Sequence, residues 1–208
     1  MWLGEGKLPE IRAGVQQRSI KTAFALLESA SALLRVHAFD ALSIEDICAG
    51  ADATVGAFYG RFNDKQSFFS ALQRLTCLRS QVALAGFVQH ANDRALSLSQ
   101  LCHMMVTMSV ERYRSNIGIY RAALKHADEG AWEPFRQLGD VYRQALTELL
   151  SPHLPHIPPK ERSMRIRFAY QVMIGTLVHA TLNDPGPLRL EDPAMGRELE
   201  GIVFKYLS

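Results

Sequence analysis

The chain has 208 residues, 48% of them apolar and 21% charged, and carries a formal net charge of +2. That composition belongs to a globular protein long enough to bury a core, and it excludes a disordered chain or one that holds nucleic acid through bulk positive charge. The N-terminal stretch lacks the apolar h-region of a signal peptide and no run of about 18 apolar residues occurs, so a cytoplasmic protein with no membrane partner is expected.

Residues 1–17 show no periodicity and read as a frayed terminal arm, with Arg12 and Arg18 as a short basic element in the alternative. From Ser19, the residues Ile20, Ala23, Phe24, Leu27 and Leu34 recur at helical spacing, which predicts a first helix ending near His37. Ser43 and Asp46 have capping-box spacing. The short helix that follows has Ile44, Ile47 and Cys48 on one face and must stop near Gly50. A turn through Ala51, Asp52 and Ala53 leads to Thr54, the expected cap of a helix over 55–62. On that helix Val55, Phe58, Tyr59 and Phe62 are read as inward, and Gly56, Ala57, Gly60 and Arg61 as outward. The outer face carries few side chains, so its backbone can approach a partner closely.

Asn63 and Asp64 then cap a long helix starting at Lys65, with Phe68, Phe69, Leu72, Leu75, Leu78 and Val82 as its apolar stripe and a possible break near Gly86. Further helices are predicted over about 99–114, 116–127, 132–150, 159–182 and 194–207, with proline-rich connectors at 151–159 and 183–193. No strand alternation persists anywhere. The helix over 159–182 is apolar nearly all round, which calls for cover on two sides. One cover is its own domain and the other is expected to be a second copy of the chain, docked through 159–182 and 194–207, with a central helix of a monomeric bundle as the alternative.

No metalloprotease, phosphate-loop or nucleophile-elbow motif occurs, so no enzyme and no cofactor are expected. Cys48, Cys77 and Cys102 are far apart and sit inside helical patterns. They read as reduced core thiols, and no metal site is expected, including one from Cys102 with His103.

The stretch from Ser43 to Phe69, with Ser43, Ile47, Ala51, Thr54, Gly56, Phe58, Tyr59, Phe62 and Lys65 at fixed offsets, resembles the helix-turn-helix signature of the TetR family of transcriptional regulators. Two positions depart from that pattern: Ala38 and Asp52 stand where the family usually has glycine. Asp52 tolerates the left-handed backbone a turn needs, although its charge weakens an approach to DNA.

The resemblance implies an all-α protein with an N-terminal three-helix DNA-binding domain over 18–63 and a larger ligand-binding and dimerisation domain over 64–208. It implies a repressor that sits on a pseudo-palindromic operator in double-stranded DNA as a homodimer and is released by a small molecule. On the matching positions, Thr54, Val55, Gly56, Ala57, Gly60 and Arg61 would face the major groove, and Arg61 would be the reader of guanine. Ser43, Tyr59 and Lys65 would hold phosphates, with core packing as the alternative for Tyr59 and plain solvation for Lys65. The inducer would be apolar or aromatic, lined by Met104, Met108, Tyr113, Tyr120, Trp132, Phe135, Tyr170 and Met173, with His103 or His179 as a polar anchor. A helical scaffold that keeps the three-helix unit without reading DNA is the competing function.

Overall fold

The computed structural model of the chain describes residues 8–11, 17–182 and 187–208. Among them are α-helices only, without a strand: α1 (Gln17–Leu33), α2 (Ile44–Gly50), α3 (Val55–Tyr59), α4 (Lys65–Arg94), α5 (Leu98–Ser115), α6 (Ile117–Lys125), α7 (Glu133–Leu150), α8 (Pro159–Leu182) and α9 (Pro193–Leu207). Single 3-10 turns at Phe39–Ala41, Ala127–Glu129 and Ser151–His153 follow α1, α6 and α7. The all-α expectation holds. Gly86 does not break α4, which has no neighbour near that Cα to force a bend. Helix α3 stops at Tyr59, three residues earlier than expected: the Arg61 N–H turns to the Phe58 carbonyl, three residues back, while the Ala57 carbonyl four residues back is taken by the Arg61 guanidinium. Arg12 and the 183–186 part of the last connector lie outside the described residues.

The chain divides into two compact units: Met1–Arg79 with Asn116–Phe135, and Ser80–Ser115 with Arg136–Ser208. This differs from a division at residue 64. The boundary falls inside α4, and α6 packs with the N-terminal helices. Helical periodicity gives α6 an apolar face but says nothing about which partner covers it.

In the first unit, α1 buries Ala23, Leu26, Leu27 and Ala30, one face at i, i+3, i+4 and i+7, against α2 and α3. Ser29 Oγ donates to the Ile47 carbonyl at 2.9 Å, tying α1 to α2. Phe58, Phe62 and Phe68 form a triangle of rings with centroids 4.9, 5.1 and 5.3 Å apart, which fixes α3 on the start of α4. Each fully buried ring stabilises by about 1.5–3 kcal/mol relative to exposure. Residues 8–11 are not frayed: Leu8 and Ile11 are buried, and Glu10 pairs with Arg74 at 2.8 Å. Two apolar side chains spaced by three were too short a pattern to read as packing.

The second unit is built on the mutual packing of α5, α8 and α9. Leu101, Met105, Val110 and Tyr113 of α5 meet Ile166, Met173 and Leu177 of α8 and Met195, Leu199 and Val203 of α9, all buried. Arg114 donates to the Leu190 and Asp192 carbonyls at 2.7 and 2.8 Å, which sets where α9 begins. Cys48, Cys77 and Cys102 are all buried free thiols. Burial pushes the Cys102 thiol up to about 12, so it stays protonated and inert. No described helix is long and apolar enough to cross a membrane.

Candidate nucleic-acid interface and effector region

The reading unit is set by its caps. Ser43 Oγ accepts from Asp46 N–H at 3.0 Å while the Asp46 carboxylate accepts from Ser43 N–H at 3.1 Å, a complete capping box. The Ser43 hydroxyl also donates to that carboxylate, and these bonds hold the Asp46 carboxyl below its ordinary range. Thr54 Oγ1 accepts from Ala57 N–H at 3.1 Å and starts α3. Between the two helices Asp52 takes φ 49°, the left-handed conformation expected of the residue in glycine's place.

On α3, Thr54, Gly56 and Gly60 are exposed and Val55 and Ala57 half-buried, so the outer face is low and carries short side chains. Phe58 and Phe62 are fully buried as expected. Tyr59 corrects its inward assignment: it is 47% exposed, standing edge-on to Phe58 at 5.5 Å. Its phenol is an exposed polar tip on a ring braced by the core.

Arg61, the expected groove reader, is engaged within the chain. Its Nε donates to the Ser19 carbonyl at 3.0 Å and its Nη1 to the Ala57 carbonyl at 2.6 Å, so the guanidinium lashes the end of α3 to α1. Two of its five N–H donors are used in this way, one on Nε and one on Nη1, and they fix where the guanidinium points. Lys65, the first residue of α4, is oriented by the turn at Phe39–Ala41. Its Nζ donates to the Asp40 carbonyl at 3.3 Å and lies 4.6 Å from the Phe39 ring centroid. One donor is used, leaving the ammonium able to reach an anion, and the α4 N-terminus adds its positive end.

The proposed ligand residues fall into two groups. His103, Met104, Met108, Tyr113, Tyr170 and Met173 belong to the second unit, whereas Tyr120, Trp132 and Phe135 form an aromatic cluster in the first, with centroids 4.7, 5.4 and 6.2 Å apart. The nine do not line one cavity within either unit. His103 is exposed and its Nδ1 lies 2.8 Å from the Glu200 carboxylate, so it braces α5 against α9 at the surface. Sequence periodicity placed it on α5 but could not tell that α9 would supply an acid beside it.

Two features escaped the sequence. Ser109 Oγ is fully buried in the second unit with no hydrogen-bond partner among the described residues. An apolar groove of about 540 Å³ runs along α4 and α7, walled by Leu84, Ala85, Val88, Val141 and Ala145. A lone serine in an apolar run and a stripe on a wet helix give no signal before the helices are packed. No described cluster of three His, Cys, Asp or Glu has metal-site geometry.

A capped helix pair with a flat reading face, joined to an all-helical unit, defines a helix-turn-helix regulator. A profile of the bacterial regulatory proteins of the tetR family matches residues 26–72, and one of the tetracyclin repressor-like C-terminal domain matches residues 97–207. The chain belongs to the TetR family of DNA-binding transcriptional regulators. It is similar in fold to a TetR-family regulator from Mesorhizobium loti MAFF303099, with TM-score 0.71 and 17% identity over 92% of this chain and 98% of that one. The ketosteroid transcriptional regulator KstR2 of Mycobacterium tuberculosis aligns with TM-score 0.58 and 18% identity over 89% and 94%. The fatty acid degradation regulator FadR of Bacillus halodurans aligns with TM-score 0.59 and 14% identity over 93% and 96%. No curated protein matches the sequence.

Proposed function

We propose that this regulator is a repressor that binds a pseudo-palindromic operator as a homodimer and leaves it when a small apolar or aromatic molecule binds the second unit. The observation that carries the DNA reading is the α3 face. Thr54, Val55, Gly56, Ala57 and Gly60 leave a low surface for base edges, and Ser43, Tyr59 and Lys65 stand around it as phosphate donors. Arg61 is assigned to hold α3 in place, because its two intrachain bonds are the better use of its donors.

The effector reading is supported by the methionine and tyrosine content of the second unit, Met104, Met108, Tyr113, Tyr170 and Met173, and by the apolar groove. Ser109 replaces His103 as its polar anchor, since a buried hydroxyl without a partner favours a ligand's polar atom. That two proteins of this fold are a ketosteroid transcriptional regulator and a fatty acid degradation regulator is in keeping with an apolar effector.

The test is fluorescence anisotropy on the DNA upstream of the gene at several salt concentrations. Binding to a specific inverted repeat is expected, and Lys65→Ala should weaken it on every sequence and lower the salt slope by about one. Equal affinity for unrelated DNA of the same length sinks the repressor reading. Thermal shift with a panel of sterols, acyl chains and aromatic acids tests the effector, and stabilisation by inorganic anions alone rejects the apolar class.

A further inference from the structure

A second cluster of charge in the first unit lies where the turn Phe39–Ala41 meets the end of α6. The Asp40 carboxylate is 2.5 Å from Lys125 Nζ through one oxygen and 3.0 Å from His126 Nε2 through the other. The second ring nitrogen of His126, Nδ1, is 3.2 Å from the Glu129 carboxylate. An ionised carboxylate only accepts, so both ring nitrogens must donate, and only the protonated imidazolium carries two N–H groups. The geometry therefore calls for a charged His126. The main-chain carbonyl of the same Asp40 receives the Lys65 ammonium, and the neighbouring Phe39 ring lies under it. One turn thus holds Lys65 from one side and is held by α6 from the other.

We propose that Asp40 is a positioning residue for DNA contact: its ion pair with protonated His126 fixes the turn that presents Lys65 to a phosphate, so operator affinity depends on the His126 proton. This rests on the reading of Lys65 as a phosphate contact.

The surroundings favour such a pair. Arg35 and His37 from the end of α1, Arg121 and Lys125 from α6, and Asp40 and His126 themselves line a cleft of about 190 Å³. Lys65 of α4 reaches the turn from its other side, and Glu129 completes the groups in contact with the ring. The Glu129 hydrogen bond, followed by that of Asp40, raises the His126 pKa above its ordinary value. Lys125 first and then His126 hold the Asp40 carboxyl below its own. A raised histidine is fully paired below about pH 6.5 and loses its pair as pH climbs through the higher folded value. The close seating of α6 on α1 leaves the pair little freedom to drift, since at Gly118 the two backbones nearly touch.

The experiment uses the full chain. Affinity for the upstream DNA is measured from pH 6 to 9 at constant ionic strength for wild type, His126→Gln, Asp40→Asn and, as a control for general histidine charge, His37→Gln. The His126 ring is titrated by NMR without DNA in wild type, Asp40→Asn and His37→Gln. Wild type and His37→Gln should lose about threefold to tenfold more affinity across the range than His126→Gln or Asp40→Asn. The His126 ring should titrate above its ordinary value and fall part of the way back in Asp40→Asn, where Glu129 still holds it. Parallel affinity profiles for wild type and His126→Gln overturn the proposal. A ring that titrates at its ordinary value in wild type overturns it as well. If no protein binds DNA at any pH, the Lys65 reading and the positioning role fail together, and the NMR titration reports whether the Asp40–His126 pair itself exists.

Discussion

A Cβ placed on Gly118 would lie 1.7 Å from the carbonyl oxygen of Leu34, so α6 meets the end of α1 backbone to backbone. No side chain at 118 fits without moving one helix. Gly118→Ala should therefore cost about 1–3 kcal/mol by overpacking, more if the backbone cannot shift. The measurement is urea unfolding of the full chain, with Gly196→Ala, whose Cβ meets nothing, as the comparison. Equal midpoints for the two would mean that α6 does not seat on Leu34.

Arg61 gives the second prediction, because a strut and a base reader respond differently to truncation. As a strut, Arg61→Ala loses hydrogen bonds to the Ser19 and Ala57 carbonyls, about 0.5–1.5 kcal/mol each. Thermal stability falls, operator affinity falls with it, and the ratio of specific to nonspecific affinity is kept. A collapse of that ratio with stability unchanged would restore Arg61 as the guanine reader, since a lost bidentate pair costs about 1–3 kcal/mol at one base step only.

How legible these features were before folding depended on their range. Ser43 with Asp46, Thr54 with Ala57 and the left-handed Asp52 are interactions within four residues, and the spacing of residue types announced each of them. The same holds for helix order, which rests on apolar periodicity. Arg61 with Ser19, Asp40 with His126 and Gly118 with Leu34 join residues 42, 86 and 84 positions apart, and no local pattern encodes a partner at that distance. Tyr59 was misjudged for a related reason. An aromatic beside Phe58 reads as core by composition, and only the geometry of a five-residue helix turns its ring outward. The ligand residues were selected by chemistry across a stretch that the fold divides between two units, so three of the nine went with the other one.

Acid should unfold the protein in a direction set by its caps. Ser67 N–H and hydroxyl hold the Asp64 carboxyl below its ordinary value, and the Ser43 hydroxyl and N–H do the same for Asp46. A depressed carboxylate contributes stability that is present above its unfolded pKa of about 3.9 and is lost as pH falls through the folded value. The urea midpoint should accordingly decline below about pH 4, and the decline should be shallower in Ser43→Ala and Ser67→Ala, which start less stable at neutral pH. A midpoint that is flat from pH 5 to 3 in the wild type would show that these caps carry no linked stability.

The last prediction concerns the face that α8 and α9 leave open. Met164, Phe168, Gln171, Gly175 and Leu182 share one stripe of α8, at i, i+4, i+7, i+11 and i+18, and all five are exposed. Met164 is 58%, Phe168 45% and Leu182 52% exposed, and Ile202 on α9 reaches 54%. Nothing approaches a Cβ built on Gly175 or Gly201, so both helices present backbone that another helix can meet closely. A monomer gains nothing by leaving such side chains in water, whereas a two-fold copy buries them and sets two reading units on one DNA. Phe168→Glu with Ile202→Glu should convert the protein from dimer to monomer in sedimentation velocity. A charge on each side of the two-fold weakens self-association by at least about tenfold to a hundredfold, or 1.4–2.8 kcal/mol. Operator binding should fall with it, and its salt slope should drop toward that of a single reading unit. A wild-type chain that sediments as a monomer at operator-binding concentrations, or a double variant that stays dimeric, rules this face out as the dimer contact.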